Sequence, residues 1–329
     1  MKRARVVGAL LAAVMATAAA GCGDSGAETA AASDGGLEPV TLAVLKLGAM
    51  ANVDYAEKQG LFEKHGLDLE MLEVSSANLH ATVQSDEAQM GLYIPGTGMV
   101  ANEQNAGLVA VWQNETAGAK APASNAIMVP EGSDITTLAD LEGKRVGISS
   151  VHGQGYAALA TLLEEAGISA EDLQLVETPY DTVGTMLSSG QLDAAVTLDP
   201  YTTQIQQEGL GKPLSYYMVE VIPNQVVGAF WAKESWVADH AEEVAAFQAA
   251  MKESTDALTA DPELGKEAVA DFSGLPTELV EAMPPISWDY TVDEAVWQQI
   301  ADMMTETGEM KEEHDASEYL SDEVMAYSS

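Results

Sequence analysis

The sequence predicts an α/β protein of two lobes, with parallel-rich sheets flanked by helices and a helical C-terminal tail. Three observations carry this reading. Short apolar runs alternate with helical stretches from Val40 onward, the pattern of strands laid side by side and covered by helices. The alternation comes as two series, the second beginning near Asn125. After Glu234 it stops, and the chain reads as helix to its end.

In the first series, "VTLAVLKLG" is a buried strand. "NVDYAEKQGLFEKHG" is a helix stopped by Gly60, then a second turn stopped by Gly66. "LDLEMLEV" sets Leu67, Leu69 and Met71 against acids, the period of a strand with one wet face. A helix near Leu79–Gln84, the strand "AQMGLYI", the helix "TGMVANEQN" and the strand "LVAVWQN" follow.

In the second series, "NAIMVP" is a strand, "TLADLEG" a short helix closed by Gly143, and "RVGIS" a strand. "GYAALATLLEEAG" is a helix with Tyr156, Leu159, Ala160 and Leu163 on one face. "LQLVET", "YDTVGTMLSSG", "DAAVTL" and "PYTTQIQQEG" continue strand, helix, strand, helix, with Pro200 in the first turn of the last. "QVVGAFWA" is a further strand. The tail holds helices over "HAEEVAAFQAAMKESTDALTA", "DPELGKEAVADF" and "VDEAVWQQIADMMTETG", with helix expected again from Lys311. No repeat of 20–50 residues is visible, which excludes a solenoid.

The first residues have a separate logic. Lys2, Arg3 and Arg5 precede an apolar run from Val6 to Ala20, too short and alanine-rich for a membrane span. A basic start, a short apolar run and a small-residue exit describe a secretory signal. The run ends "AAAGCGDSG", and Cys22 is the chain's one cysteine. Ala19, Ala20 and Gly21 before it resemble the lipobox of bacterial lipoproteins, in which the signal is cut before the cysteine and the cysteine is acylated. The expectation is a signal over 1–21, lipidation at Cys22 and a flexible tether over 22–37, whose Gly, Ala, Ser and acidic residues have no apolar period. With no second cysteine there is no disulfide, and the fold rests on its core.

The chain carries 14 basic and 52 acidic residues, a formal charge of −38. Loss of residues 1–21 lowers the basic count to 11 and the charge to −41. Such a charge excludes nucleic acid as a partner and gives the body no attraction to anionic membrane. The acids are scattered along the chain, as on a solvated surface suited to high salt.

Four pieces, "DYAEKQGLFEKHGLDLEM", "TLADLEGKRVGIS…LATLLEEAGIS", "MLSSGQLDAAVTLDPY" and "VVGAFWAKESWVADHAEEVAAFQAAMKES", together resemble the solute-binding proteins of ABC importers for nitrate, sulfonates, taurine and thiamine-pyrimidine precursors. The resemblance spans about residues 40–260. It implies a periplasmic-binding-protein type II fold with a ligand cleft between two lobes. It implies crossings near Ala123 and Val226, so that 38–123 and 226–329 form lobe 1 and 124–225 lobe 2. It further implies a monomer that waits outside the membrane, held only by its lipid anchor. There it captures a small organic solute, anionic or heteroaromatic, and delivers it to the permease. No cofactor and no chemistry are implied. An extracytoplasmic sensor would use the same cleft. The family's pyrimidine synthase relatives carry a cysteine-rich motif that this chain lacks.

In open α/β sheets ligands sit beyond the carboxyl ends of the strands. The candidate ligand residues therefore lie in the loops there. "ISSVHGQGYAAL" brings Ser149, Ser150, His152 and Gly153 to a helix start, whose free N–H groups suit an anion. Sulfonate binders have a glycine and several serines at the matching place, so His152 and Gly153 depart from that pattern. Lys46 ends the first strand and Asn52 follows it. "IPGTG" offers Thr97, and "WQNET" offers Asn114 and Glu115. Asp199 could accept a ligand N–H or cap the helix begun by Pro200. Tyr201 stands with Asp199 at a strand's carboxyl end, while Tyr93, Trp112 and Trp231 are aromatics for a flat ligand or for the core. Asn224 is a hinge or cleft residue. Arg145 starts its strand and so lies at the wrong end. His65, His80, His152, His240 and His314 lack metal-ligand spacing, and no Gly-x-Ser-x-Gly elbow is present.

Overall fold

The computed structural model describes residues 38–327. The expected signal over 1–21, Cys22 and the expected tether over 22–37 lie outside the described residues. The first series runs β1 (Glu38–Val44), α1 (Ala51–Lys58), α2 (Leu61–Lys64), β2 (Leu67–Glu73), α3 (Ser76–Gln84), β3 (Met90–Tyr93), α4 (Pro95–Glu103) and β4 (Leu108–Thr116). The second runs β5 (Asn125–Pro130), β6 (Arg145–Ile148), α5 (Gln154–Glu165), β7 (Gln174–Glu177), α6 (Tyr180–Ser188), β8 (Ala194–Leu198), α7 (Tyr201–Gln207), β9 (Gly211–Ser215) and α8 (Tyr217–Val221). The chain continues through β10 (Val226–Lys233), α9 (Glu234–Asp239), α10 (Ala241–Ala260), α11 (Pro262–Ser273), α12 (Thr277–Ala282), α13 (Glu294–Glu306) and α14 (Asp322–Tyr327).

The strands form two five-stranded sheets, ordered β2-β1-β3-β10-β4 and β7-β6-β8-β5-β9. The pairs β1–β2, β1–β3, β6–β7 and β6–β8 are parallel. β10 runs antiparallel to β3 and β4, and β5 antiparallel to β8 and β9. The crossings explain this. Each reaches its new sheet at the carboxyl end of the parallel strands, so the arriving strand must run the other way.

Burial follows the sequence period. On the edge strand β2, Leu67 and Leu69 are buried and Asp68 and Glu70 exposed. β4 is apolar and buried from Leu108 to Trp112, as an inner face on both sides requires. α10 buries Val244, Phe247, Met251 and Leu258, a stripe at helical spacing. α4 lies against Trp231 through Gly98, where a Cβ would stand 2.8 Å from the indole ring. Gly60 and Gly66 close α1 and α2 with φ of 64° and 83°, the left-handed conformation that favours glycine.

Three stretches differ from the sequence reading. "TLADLEG" forms only a 3-10 turn over Leu138–Leu141, tied by a Thr137–Asp140 capping box. β9 and α8 were not anticipated; β9 is an edge strand holding Pro213, so it lacks an alternating pattern. The tail is not continuous helix. Pro284 and Pro285 follow α12, and the chain then pairs with β4. The Thr116 N–H donates to the Ser287 carbonyl (3.0 Å) and the Asp289 N–H to the Asn114 carbonyl (3.2 Å). Past Lys311 the chain stays non-helical to a 3-10 turn at Ala316–Tyr319, and Leu320 bridges to Ala110. These segments cover the outer edge of β4, which would otherwise present unpaired backbone. Among the described residues no helix is long and apolar enough to cross a membrane.

Candidate functional site

The two crossings between the sheets run side by side. The Ala117 N–H donates to the Gln225 carbonyl (2.8 Å) and the Asn224 N–H to the Gly118 carbonyl (2.9 Å). Asn224 is exposed and takes φ of 58°, a conformation asparagine tolerates better than most residues. The carboxyl ends of β3 and β6 meet at a buried glutamine. Gln154, at the first turn of α5, accepts from the Gly96 N–H (2.9 Å) and donates to the Val226 carbonyl (2.8 Å). It thus ties a loop of each sheet to the second crossing. α13 packs against both α4 and α5 at the same junction.

The start of α5 has an internal partner. The Gly153 N–H donates to Glu309 Oε2 at 2.7 Å, and His152 Nδ1 lies 3.4 Å from Glu309 Oε1. The Glu309 side chain is nearly buried and the His152 side chain is open to solvent. Ser150 accepts from the His152 N–H (3.2 Å), and Ser149 donates to Tyr180 Oη (2.7 Å). Both serines are exposed.

On the second sheet the carboxyl ends of β7 and β8 bring Tyr180 and Tyr201 together, stacked with centroids 6.0 Å apart and planes at 20°. Both rings are half-buried, and burial pushes the Tyr180 hydroxyl up. Asp199 caps α7: its Oδ1 accepts from the Thr203 N–H (2.9 Å) and hydroxyl (2.7 Å). Its Oδ2 is buried without a hydrogen-bond partner among the described residues. Burial pushes its carboxyl up, against the opposing effect of the Thr203 bonds.

On the first sheet Leu47 and Ile94 stand at the carboxyl ends of β1 and β3. They are 45% and 47% exposed, the most open large apolar side chains among the described residues. Thr97 is exposed beside them. Lys46 is exposed too, but its Nζ lies over the Phe272 ring, 4.4 Å from the centroid. Asn52 and Asn114 are fully buried. Asn52 Nδ2 donates to Asn114 Oδ1 (2.7 Å) and Thr255 Oγ1 (3.2 Å), and Asn114 Nδ2 to the Ala49 carbonyl (2.9 Å). They hold the β1–α1 turn in place. Trp112 stacks on Tyr290 at 5.0 Å, and Trp231 packs against Trp297 at 5.8 Å; both are core. Tyr93 is buried, with the His80 ring edge-on at 6.2 Å.

At the end of β4 a cavity of about 330 Å³ lies between the first crossing and the Pro284–Trp288 segment. Glu115 lines it, half-buried, and desolvation pushes its carboxyl up from 4.5 to about 7. Lys120 is the other charged residue of the lining.

Of the residues singled out from sequence, the structure gathers Thr97, Ser149, Ser150, His152, Gly153, Asp199, Tyr201 and Asn224 at strand ends and crossings. It puts Asn52, Tyr93, Asn114 and Trp112 beneath that surface. Arg145 pairs with Asp193 (2.8 Å) at the opposite end of its strand. Sequence reading missed Gln154, Tyr180 and Glu309. A glutamine between two glycines at a helix start was the only local signal for the first. Among the described residues no group of three His, Cys, Asp or Glu is placed to hold a metal ion.

A model of the family described as NMT1/THI5 like matches residues 49–264. A Brucella abortus (strain 2308) protein named as a binding protein is 26% identical over 283 residues, 80% of this chain and 84% of that one. A Haemophilus influenzae protein named for thiamine biosynthesis is 26% identical over 274 residues, 78% and 83% of the two chains. Among solved structures, the periplasmic aliphatic sulphonate binding protein SsuA of Escherichia coli superposes with a TM-score of 0.72. That match covers 86% of this chain and 97% of the other at 19% identity, a likeness of fold.

Proposed function

The chain belongs to the NMT1/THI5-like family, and from that premise we propose that it is an extracytoplasmic solute-binding protein. It is anchored by a lipid on Cys22, captures a small organic solute with a flat part, and hands it to an ABC permease. Binding takes place between lobes 38–123 plus 226–329 and 124–225, without chemistry. The observation that carries this reading is the junction of strand ends. Leu47 and Ile94 offer exposed apolar surface on one rim, and the stacked Tyr180–Tyr201 pair a flat one on the other. Aromatic faces and apolar contacts bind planar molecules, while Thr97, Ser149 and Asp199 supply polar contacts that fix orientation. The paired crossings at 117–118 and 224–225 are where one lobe turns on the other, and closure reports occupancy to the permease.

A thermal-shift screen of residues 38–329 tests the reading, with aminopyrimidines, aromatic carboxylates, alkyl sulfonates, bicarbonate and nitrate as the panel. A ligand at about 100 times its Kd adds about 2.7 kcal/mol. A shift with at least one planar organic compound is expected. A folded protein that responds only to nitrate or bicarbonate would refute the planar-solute reading.

A further inference from the structure

We infer that the solute presents a protonated amine, amidine or guanidine to Glu115, so that the site takes planar organic cations rather than oxyanions. The inference rests on the binding role proposed above and adds to the strand-end surfaces named there this cavity beside the first crossing.

Glu115 stands where β4 passes into the first crossing, and it lines the 330 Å³ cavity. Among the described residues it has no ion pair and no side-chain hydrogen bond. Lys120, exposed in the same lining, comes within 4 Å of no carboxylate among those residues. β3 has no charged residue, and β10 has none before Lys233 at its far end. Opposite Glu115 stands Gly228, where even a Cβ would come within 3.8 Å of Oε2, so no side chain from β10 covers the carboxylate. Asp289, on the adjoining segment, is already bonded to the Thr291 N–H (2.8 Å).

A half-buried carboxylate costs free energy unless something pairs with it. Here the protein supplies nothing, and the cavity in front of it has room for a ligand group. The raised carboxyl is the mark of that unmet desolvation.

Outside this cavity, the groups singled out as able to hold an anion are, by contrast, already engaged. The α5 N-terminus, the helix start suited to an oxyanion, is filled by Glu309 at 2.7 Å from the Gly153 nitrogen. A second anion there would meet that carboxylate. Lys46 lies over Phe272, and Arg145 is paired at the far end of the sheet. The chain's formal charge of −38 draws cations and repels anions at long range.

The test is isothermal titration of the processed full chain at pH 7.5. One set of planar probes is benzamidine, phenylguanidine and 4-aminopyridine; the other is benzoate, benzenesulfonate and nitrate. At least one cationic probe is expected to bind. Glu115→Gln is expected to weaken it at least tenfold, while thermal denaturation shows the variant no less stable than the parent. A variant that binds the cation as tightly as the parent overturns the assignment of Glu115. Binding of anionic probes alone overturns the cation preference and leaves the solute-binding role standing. No response to any probe counts against both.

Discussion

Glu115→Gln is expected to stabilise the ligand-free protein, by an amount that grows from nothing near pH 4.5 to its full size above pH 7. In the folded chain desolvation lifts the Glu115 carboxyl from 4.5 to about 7. Between those two values the native state therefore holds a proton that the unfolded state has released. Stability then falls as pH rises through the window, and the penalty is complete above pH 7 and absent below about pH 4.5. A shift of this size corresponds to about 3 kcal/mol. The side chain keeps partial contact with water, so about 1–3 kcal/mol is the working range. Glutamine keeps the shape and removes the charge. The variant should thus be about 1–3 kcal/mol more stable at pH 8 and equal to the parent near pH 4.5. Urea denaturation followed by tryptophan fluorescence gives the comparison, since Trp112, Trp231 and Trp297 are fully buried. A variant less stable than the parent at pH 8, or a gain that does not change with pH, would refute the reasoning, because either would mean the carboxylate has a partner in the fold.

Gln154→Ala removes both bonds at the junction and leaves the buried Gly96 N–H and Val226 carbonyl unpaired; a loss of about 2–4 kcal/mol is expected in the same denaturation experiment. Gly98→Ala places a methyl 2.8 Å from the Trp231 ring, so α4 must move off the sheet at a cost of about 1–3 kcal/mol, read as a lower urea midpoint. Cys22→Ser removes the thiol that the lipid reading needs; the protein should pass from the membrane fraction to the soluble fraction of the producing bacterium, and retention in the membrane would disprove anchoring at this residue.

The fold was legible because burial and chain period agree over most of its length. Leu67, Leu69 and the acids between them announce β2, and the Leu159–Leu163 face announces α5. What escaped has a physical reason in each case. β9 holds a proline at a sheet edge, so no alternation marks it. The Pro284–Trp288 segment gains its place from pairing with β4, a long-range contact no local pattern encodes. Strand ends pointed to a candidate site region, yet not to the direction of its side chains. Pairing of β4 with β10 is irregular between Val226 and Ala229, which breaks the period of two around Asn114 and Glu115. Asn114 is sealed beneath the surface while its neighbour Glu115 reaches the cavity. Gln154 and Glu309 act across more than fifty residues of chain, and only the folded arrangement reveals them.

The overall charge and Glu115 favour a cation for different reasons, and salt separates the two. The surface field arises from exposed acids and is screened beyond about 8–10 Å at 0.1–0.15 M ionic strength. It can steer a cation toward the protein but does little to hold it. Glu115 is half-buried beside the Pro284–Trp288 segment, so solvent ions reach it poorly and its attraction acts at contact. Raising salt from 0.05 to about 0.5 M should therefore slow association of a bound cationic probe several-fold and leave its dissociation rate nearly unchanged. Glu115→Gln should do the reverse, speeding dissociation at least tenfold with little change in association. Stopped-flow fluorescence of the parent and the variant at the two salt concentrations measures both rates. If salt and the substitution moved the same rate constant, the carboxylate would be acting as one more member of the surface field, and the half-buried contact would lose its role in recognition.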